Sequence, residues 1–142
     1  DPDDTRSVED EAPRLMAATL GEQTVLEVAE YLAQAQYIGA NRNNGVAQAQ
    51  ICKACHTLTE GGQHMIGPDL HGFFGRSVGS RDGFDYSPVL RNADFRWTPR
   101  TLDAWLAQPG RFLPGNRMMF AGIMKSEDRV DLIAYLLDVT SD

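Results

Sequence analysis

The five residues Cys52-Lys53-Ala54-Cys55-His56 constrain this chain more than any other feature of its sequence. They contain both cysteines of the 142-residue chain, three positions apart and followed at once by a histidine. Two thiols at this spacing can form thioethers to the two vinyl groups of one haem, and the adjoining imidazole then faces the iron from the same side. The pattern is specific for covalent attachment of haem c. We therefore expect a fold that encloses one large apolar cofactor.

Two other uses of a cysteine pair fit this chain less well. A structural zinc site needs about four ligands, and the chain has no second cysteine pair. A thioredoxin-like redox motif is typical of a chain in which strands alternate with helices, and no stretch of this sequence alternates with strand period. Covalent haem attachment remains the interpretation that uses all three side chains.

The net charge of −7 is concentrated in the first 38 residues. Residues 1–38 carry nine acidic residues and two arginines, whereas residues 39–142 carry 11 acidic and 11 basic residues. A nucleic-acid partner is not expected, because such a partner requires a basic surface. The charge distribution predicts an acidic N-terminal extension over 1–38, in which helical spacing indicates one helix at about 21–36. A haem domain over 39–142 is expected to follow it.

The remaining pattern predicts an all-α domain with long loops. Helical spacing indicates helices over about 46–54, 87–91 and 99–108, the last capped by Thr98. A final helix is predicted over 127–139 with Ser126 as its cap. No apolar run approaches the ~20 residues that cross a bilayer, so no membrane span is expected.

From about Gly45 to Asp138 the sequence resembles the class I cytochrome c family of mitochondrial and bacterial electron carriers. The matching runs are CKACHT, GGQHMIGPDLHGFFGR, RWTPRTLDAWLAQPGRFLPGNRMMFAGI and DRVDLIAYL. The resemblance implies three to five helices around one haem, here with an extra N-terminal helix. It implies a one-electron carrier that is not an enzyme and that serves a donor and an acceptor protein. It also implies a periplasmic location, because bacteria attach haem c outside the cytoplasm.

The same resemblance assigns roles to individual residues. It makes His56 the proximal iron ligand and Met118 the distal one, with Met119 as the alternative. The carbonyl of Pro68 is expected to accept a hydrogen bond from the far nitrogen of His56, as partners of metal-bound histidines do. The other expected haem contacts are Arg76, Tyr86 and Trp97 at the propionates, Phe120 over the haem, and Trp105 where the family usually has Tyr.

One departure from the family concerns its first helix. Relatives place Gly eight residues before the first Cys and an aromatic residue four before it, and use them to pack against the last helix. Here these positions hold Asn44 and Gln48, and Gly45 comes one place late. We expect either a small shift of this helix or cover from the N-terminal segment.

Three functions stay open at this point. The first is a free electron carrier. The second is a haem domain cut from, or fused within, a larger multi-haem protein, because Leu20–Leu32 resembles Met124–Leu136 in its acidic start and its Tyr-Leu end. The third is a haem enzyme or gas sensor, which would require that Met118 leave the iron open.

Overall fold

The computed structural model describes residues 37–141. The chain divides into two units, Asp1–Ile38 and Gly39–Asp142. The expected helix at 21–36 lies outside the described residues, as does most of the acidic extension. The described residues belong almost entirely to the second unit.

Five helices form the regular structure of the described residues. They are α1 (Arg42–Lys53), α2 (Pro88–Arg91), α3 (Pro99–Ala107), α4 (Pro109–Phe112) and α5 (Ser126–Thr140). Within residues 37–141 the one β pairing is an isolated antiparallel bridge between Ser77 and Arg96. The prediction of an all-α domain is confirmed. None of the described helices combines the length and the apolarity that crossing a membrane requires.

Helix α1 crosses α5 at Gly45, where the two backbones approach each other closely. A Cβ atom at Gly45 would lie 2.4 Å from the carbonyl oxygen of Asp131 and 2.8 Å from Cβ of Tyr135. One turn later, Ala49 is fully buried. The small residues that permit the crossing stand at 45 and 49, each one place after the positions where relatives have Gly and an aromatic residue. The first of the two expected explanations, a shift by one residue, accounts for the packing.

Asn44 serves a different purpose at this crossing. Its side-chain nitrogen donates to Asp128 at 2.8 Å and to Asp131 at 2.9 Å, so the residue bonds α1 to α5. Helix α5 contributes Leu132 and Ile133 to the core, both fully buried, and Leu136, which is 2 % exposed. This crossing holds together the first and last parts of the domain.

Helix α3 begins with a complete capping box. Thr98 accepts a hydrogen bond from the backbone N–H of Thr101, and the Thr101 hydroxyl accepts one from the N–H of Thr98. These two bonds satisfy amides that would otherwise lack partners at a helix start. Arg129 of α5 then bonds to Asp103 of α3 at 2.8 Å, which fixes α3 against the last helix.

The structure differs from the predicted helices at three places. Helix α1 starts about one turn earlier than expected, because Asn41 caps it by accepting the N–H of Asn44. The short helix α4 was not predicted, since Pro109 followed by Gly110 indicates a stop. Helix α5 begins at Ser126 itself, with Lys125 in the cap position, so the prediction that Ser126 is the cap was wrong.

Candidate haem site

The two cysteines and His56 lie on one turn at the end of α1. The backbone N–H groups of Cys55 and His56 both donate to the carbonyl oxygen of Cys52, at 3.1 and 2.8 Å. Both thiols are half-buried, and neither forms a disulfide. Burial raises the pKa of the Cys52 thiol to about 11, so this sulfur is protonated at neutral pH. The turn thus presents two thiols and an imidazole together.

The His56 ring is held by the backbone carbonyl of Pro68, whose oxygen is 2.7 Å from Nδ1. A carbonyl oxygen can only accept, so Nδ1 carries the proton and Nε2 keeps its lone pair. Burial lowers the pKa of His56, which favours the neutral ring. A neutral imidazole with a free Nε2 is the form that binds a metal.

Gly67 makes this arrangement possible because its backbone passes directly over the His56 ring. A Cβ atom at Gly67 would lie 2.3 Å from Cε1 of His56, well inside any permitted contact. The N–H of Gly67 also donates to the carbonyl oxygen of Cys55 at 2.8 Å. The Gly67-Pro68 turn is therefore fixed to the end of α1, and any larger residue would push the ring away.

Tyr86 and Ser87 are consecutive in the chain, and both residues are buried. The Tyr86 oxygen accepts from the backbone N–H of Arg81 at 3.2 Å, which leaves its own proton to donate. Burial raises the pKa of Tyr86, so the phenol stays neutral. The Ser87 hydroxyl is buried and has no hydrogen-bond partner. A buried hydroxyl rarely lacks a partner, and a carboxylate of a bound group would satisfy both.

Arg76 lies near this pair but is largely exposed. Its Nε donates to the carbonyl oxygen of Gly72 at 2.9 Å, and its charge lowers the pKa of Tyr86 against the larger effect of burial. The charge of Arg76 therefore acts on the Tyr86 phenol. The assignment of Arg76 and Tyr86 to a propionate site stays a prediction.

Aromatic rings form a continuous apolar surface in the domain. The rings of Trp97 and Trp105 meet edge to face with centroids 5.5 Å apart, and Trp105 also meets Phe112 at 6.5 Å. Trp105 is 5 % exposed and Trp97 is half-buried. Trp105 has no hydroxyl, so it cannot supply the hydrogen bond that a Tyr at this position would donate.

The loop after α4 places its two methionines in different environments. Met118 is half-buried, whereas Met119 is 100 % exposed. The N–H of Met118 donates to the side-chain oxygen of Asn116 at 2.8 Å, and the Asn116 amide donates to the carbonyl of Pro109 at 2.9 Å. Phe120, also half-buried, closes the turn by donating its N–H to the carbonyl of Met118 at 3.0 Å.

These residues fit a covalently bound haem. The thiols and the neutral imidazole of His56 come from one turn, and Met118 offers a soft thioether on a hydrogen-bonded loop. The buried Ser87 hydroxyl could donate a hydrogen bond to a haem carboxylate. The apolar rings suit the macrocycle. The family model for cytochrome c matches residues 43–140. The chain belongs to the cytochrome c family.

The chain also aligns with curated relatives over most of the relatives' length. A cytochrome c of Chlamydomonas reinhardtii is 46 % identical over 90 residues, which are 63 % of this chain and 80 % of the relative. A cytochrome c of Nigella damascena is 40 % identical over 90 residues, covering 63 % and 81 %. One of Gibberella zeae is 43 % identical over 89 residues, covering 63 % and 84 %.

Family membership establishes the cofactor and the kind of activity. The chain carries one covalent haem through Cys52 and Cys55 and acts as an electron carrier rather than an enzyme. The haem supplies the one-electron chemistry. The chain supplies the attachment, hydrogen bonds and an apolar enclosure.

Two residues of the site were missed by sequence reasoning. Ser87 precedes α2 as its N-cap, and a serine at a helix start gives no signal that its hydroxyl will be buried. Asp69 follows Pro68, and its side chain is fully buried against Arg81. A charged residue in a Gly-rich loop is ordinarily solvated, so nothing in the pattern pointed to an internal ion pair.

Proposed function

We propose that residues 39–142 form a haem domain in which His56 and Met118 would be the two protein ligands of the iron. The observation that carries this proposal is the His56 ring, fixed by Pro68 with its Nε2 lone pair free. Met118 is favoured over Met119 because Met119 is fully exposed. A methionine thioether raises the reduction potential of haem, and two protein ligands leave no position for substrate.

Arg76, Tyr86 and Trp97 are proposed to face the haem propionates, with Trp105 and Phe120 against the macrocycle. The neutral Tyr86 hydroxyl and the nearby Arg76 charge support this assignment. A buried carboxylate requires a donor or a cation, and these residues offer both.

Carbon monoxide tests whether the iron is closed by two protein ligands. We expect the reduced holoprotein, without denaturant, to show no change in its absorption spectrum when CO is added. Ready binding of CO would instead favour a gas sensor or a haem enzyme, in which Met118 does not occupy the sixth position.

We propose that redox partners dock on exposed apolar side chains next to the residues proposed to hold the haem. Ile51 precedes Cys52 and is 58 % exposed, and Ile66 precedes Gly67 and is 80 % exposed. With Met119 fully exposed beside Met118, three apolar side chains adjoin the residues proposed to hold the haem. Residues 39–142 carry 11 acidic and 11 basic residues, so electrostatic steering by this domain is weak.

The salt dependence of electron transfer tests this docking proposal. We expect second-order rates with a redox partner to change little with ionic strength once residues 1–36 are removed. If the full chain shows a steep dependence that survives this deletion, the acidic segment is not its source and the domain itself is electrostatically steered.

We propose a periplasmic location for this chain. Support comes from the need to form thioethers outside the cytoplasm in bacteria. Fractionation of the native host, with the haem-stained protein followed by blot, tests this directly. Recovery of the holoprotein with the cytoplasmic fraction would contradict it.

A second candidate function is a haem domain within a longer electron relay. The likeness of Leu20–Leu32 to the end of the cytochrome domain at Met124–Leu136 supports it. Intact mass and haem count of the protein from its native source distinguish the two. One haem on a chain of this length supports a free carrier, and a longer chain with more haems supports the relay.

A further inference from the structure

An ion pair lies in the interior of the domain between Asp69 and Arg81. Nη2 of Arg81 is 3.1 Å from Oδ2 of Asp69, and their side chains are 22 % and 0 % exposed. Burying a carboxylate is costly unless it is paired and fully hydrogen-bonded. A buried pair is also less screened by solvent and salt than a surface pair, so its field acts over a longer range.

Both carboxylate oxygens and the backbone N–H of Asp69 have partners. The Thr57 hydroxyl donates to Oδ1 at 2.7 Å, and the Asp69 N–H donates to Nδ1 of His64 at 3.0 Å. Arg81 donates from Nη1 to the carbonyl oxygen of His71 at 2.6 Å. These bonds fix the orientation of both charged groups.

The pair connects two parts of the haem site. Asp69 follows Pro68, whose carbonyl holds His56, and its charge raises the pKa of His56 against the larger opposing effect of burial. At the other end, the N–H of Arg81 donates to the Tyr86 hydroxyl. The negative charge therefore acts on the ligand side of the site, while the positive charge lies toward the proposed propionate side.

We propose that the buried Asp69–Arg81 pair sets the reduction potential of the haem. Reduction adds one electron from a partner protein to Fe(III) and gives Fe(II), so the iron site loses one unit of positive charge. The Asp69 carboxylate stabilises the ferric state, and the Arg81 guanidinium offsets this stabilisation. Both are positioning residues whose charges act through space, and Asp69 also adjoins Pro68, whose carbonyl holds His56. The proposal rests on His56 as the iron ligand.

The two charges predict shifts of opposite sign. Asp69→Asn should raise the reduction potential, and Arg81→Gln should lower it. At a fixed electrode potential, each substitution should change the Fe(III)/Fe(II) ratio by roughly three- to tenfold. A tenfold change corresponds to about 59 mV for one electron. Arg81→Lys keeps the charge and should stay near the wild-type potential. The double variant should fall between the two single variants.

Redox titration of the full-length holoprotein at pH 8, followed by haem absorption, measures these potentials. Matched controls come from the exposed ion pair of Arg42 with Asp138, whose side chains are 59 % and 61 % exposed. Arg42→Gln and Asp138→Asn change the charge identically but in solvent, so their shifts should be much smaller.

Shifts of the same sign in both single variants, or shifts no larger than those of the exposed controls, would overturn the proposal. If Asp69→Asn fails to yield holoprotein, the comparison of Arg81→Gln with Arg81→Lys decides, and equal potentials refute a role for the charge. The wild-type spectrum reports the axial ligands separately. A different ligand set would refute the proposed function, whereas opposite shifts in the variants would still establish the effect of the pair.

Discussion

Replacing Gly45 by Ala tests whether the close approach of α1 and α5 holds this domain together. The added Cβ would lie 2.4 Å from the backbone oxygen of Asp131, and ordinary contact begins at 3.4 Å. The helices must therefore separate by roughly 1 Å, a gap that forfeits a quarter to a half of each dispersion contact across it. A backbone oxygen cannot rotate aside as a side chain can.

Overpacking of a core costs about 1–3 kcal/mol, and the backbone clash at Gly45 favours the upper end. Alanine regains about 1 kcal/mol through its better helix propensity. The net loss is about 2 kcal/mol. With an m value of about 3–4 kcal/mol/M for guanidinium chloride, the unfolding midpoint should fall by roughly 0.5–0.7 M.

Guanidinium unfolding of the holoprotein, followed by far-ultraviolet circular dichroism, measures this loss. Gly110→Ala is the matched control, because a Cβ there meets nothing within 4 Å and Gly110 lies in helix α4. The control should be neutral or stabilising by up to about 1 kcal/mol. If Gly45→Ala is as stable as Gly110→Ala, the crossing does not depend on close backbone contact and this reasoning is wrong.

Three further changes have specific expected outcomes. Gly67→Ala should displace the His56 ring, so the holoprotein should show a changed axial-ligand spectrum and a lower unfolding midpoint; an unchanged spectrum would contradict the contact. Thr98→Ala removes one half of the capping box with Thr101 and should cost about 1 kcal/mol in denaturant unfolding, with no change in the haem spectrum. Tyr86 has its pKa raised above 10.0 by burial. As the pH rises above 10, unfolded chains release the phenolic proton while folded chains retain it, so wild type should lose stability relative to Tyr86→Phe. A stability difference that is constant from pH 8 to 11 would refute this.

Much of the haem attachment region could be predicted from local sequence. The Cys-Lys-Ala-Cys-His run forms one turn at a helix end, so its geometry depends on residues adjacent in the chain. The hydrogen bond between His56 and Pro68 joins residues 12 apart, and the family resemblance supplied it. Thr98 followed by Pro99 predicted the start of α3 because a capping box is also local.

The features that were not predicted depend on contacts between distant residues. Counting back from Cys52 left open whether α1 is shifted or covered by the N-terminal segment, and the close approach of Gly45 to Asp131 shows the shift. Asp69 and Arg81 belong to loops without periodicity. Nothing in the sequence of either loop indicates that these two side chains will form a buried ion pair. Pro109 and Gly110 indicate the end of a helix. The chain instead forms one more helical turn, α4, after a one-residue break at Gln108.

The axial ligand set is tested most directly by comparing Met118→Ala with Met119→Ala in the holoprotein. We expect Met118→Ala to lower the reduction potential and to let reduced haem bind CO, because the soft sixth ligand is lost. Met119 is fully exposed, so Met119→Ala should keep the wild-type potential and remain closed to CO. A Met118→Ala protein with wild-type potential and no CO binding would contradict ligation of the iron by Met118.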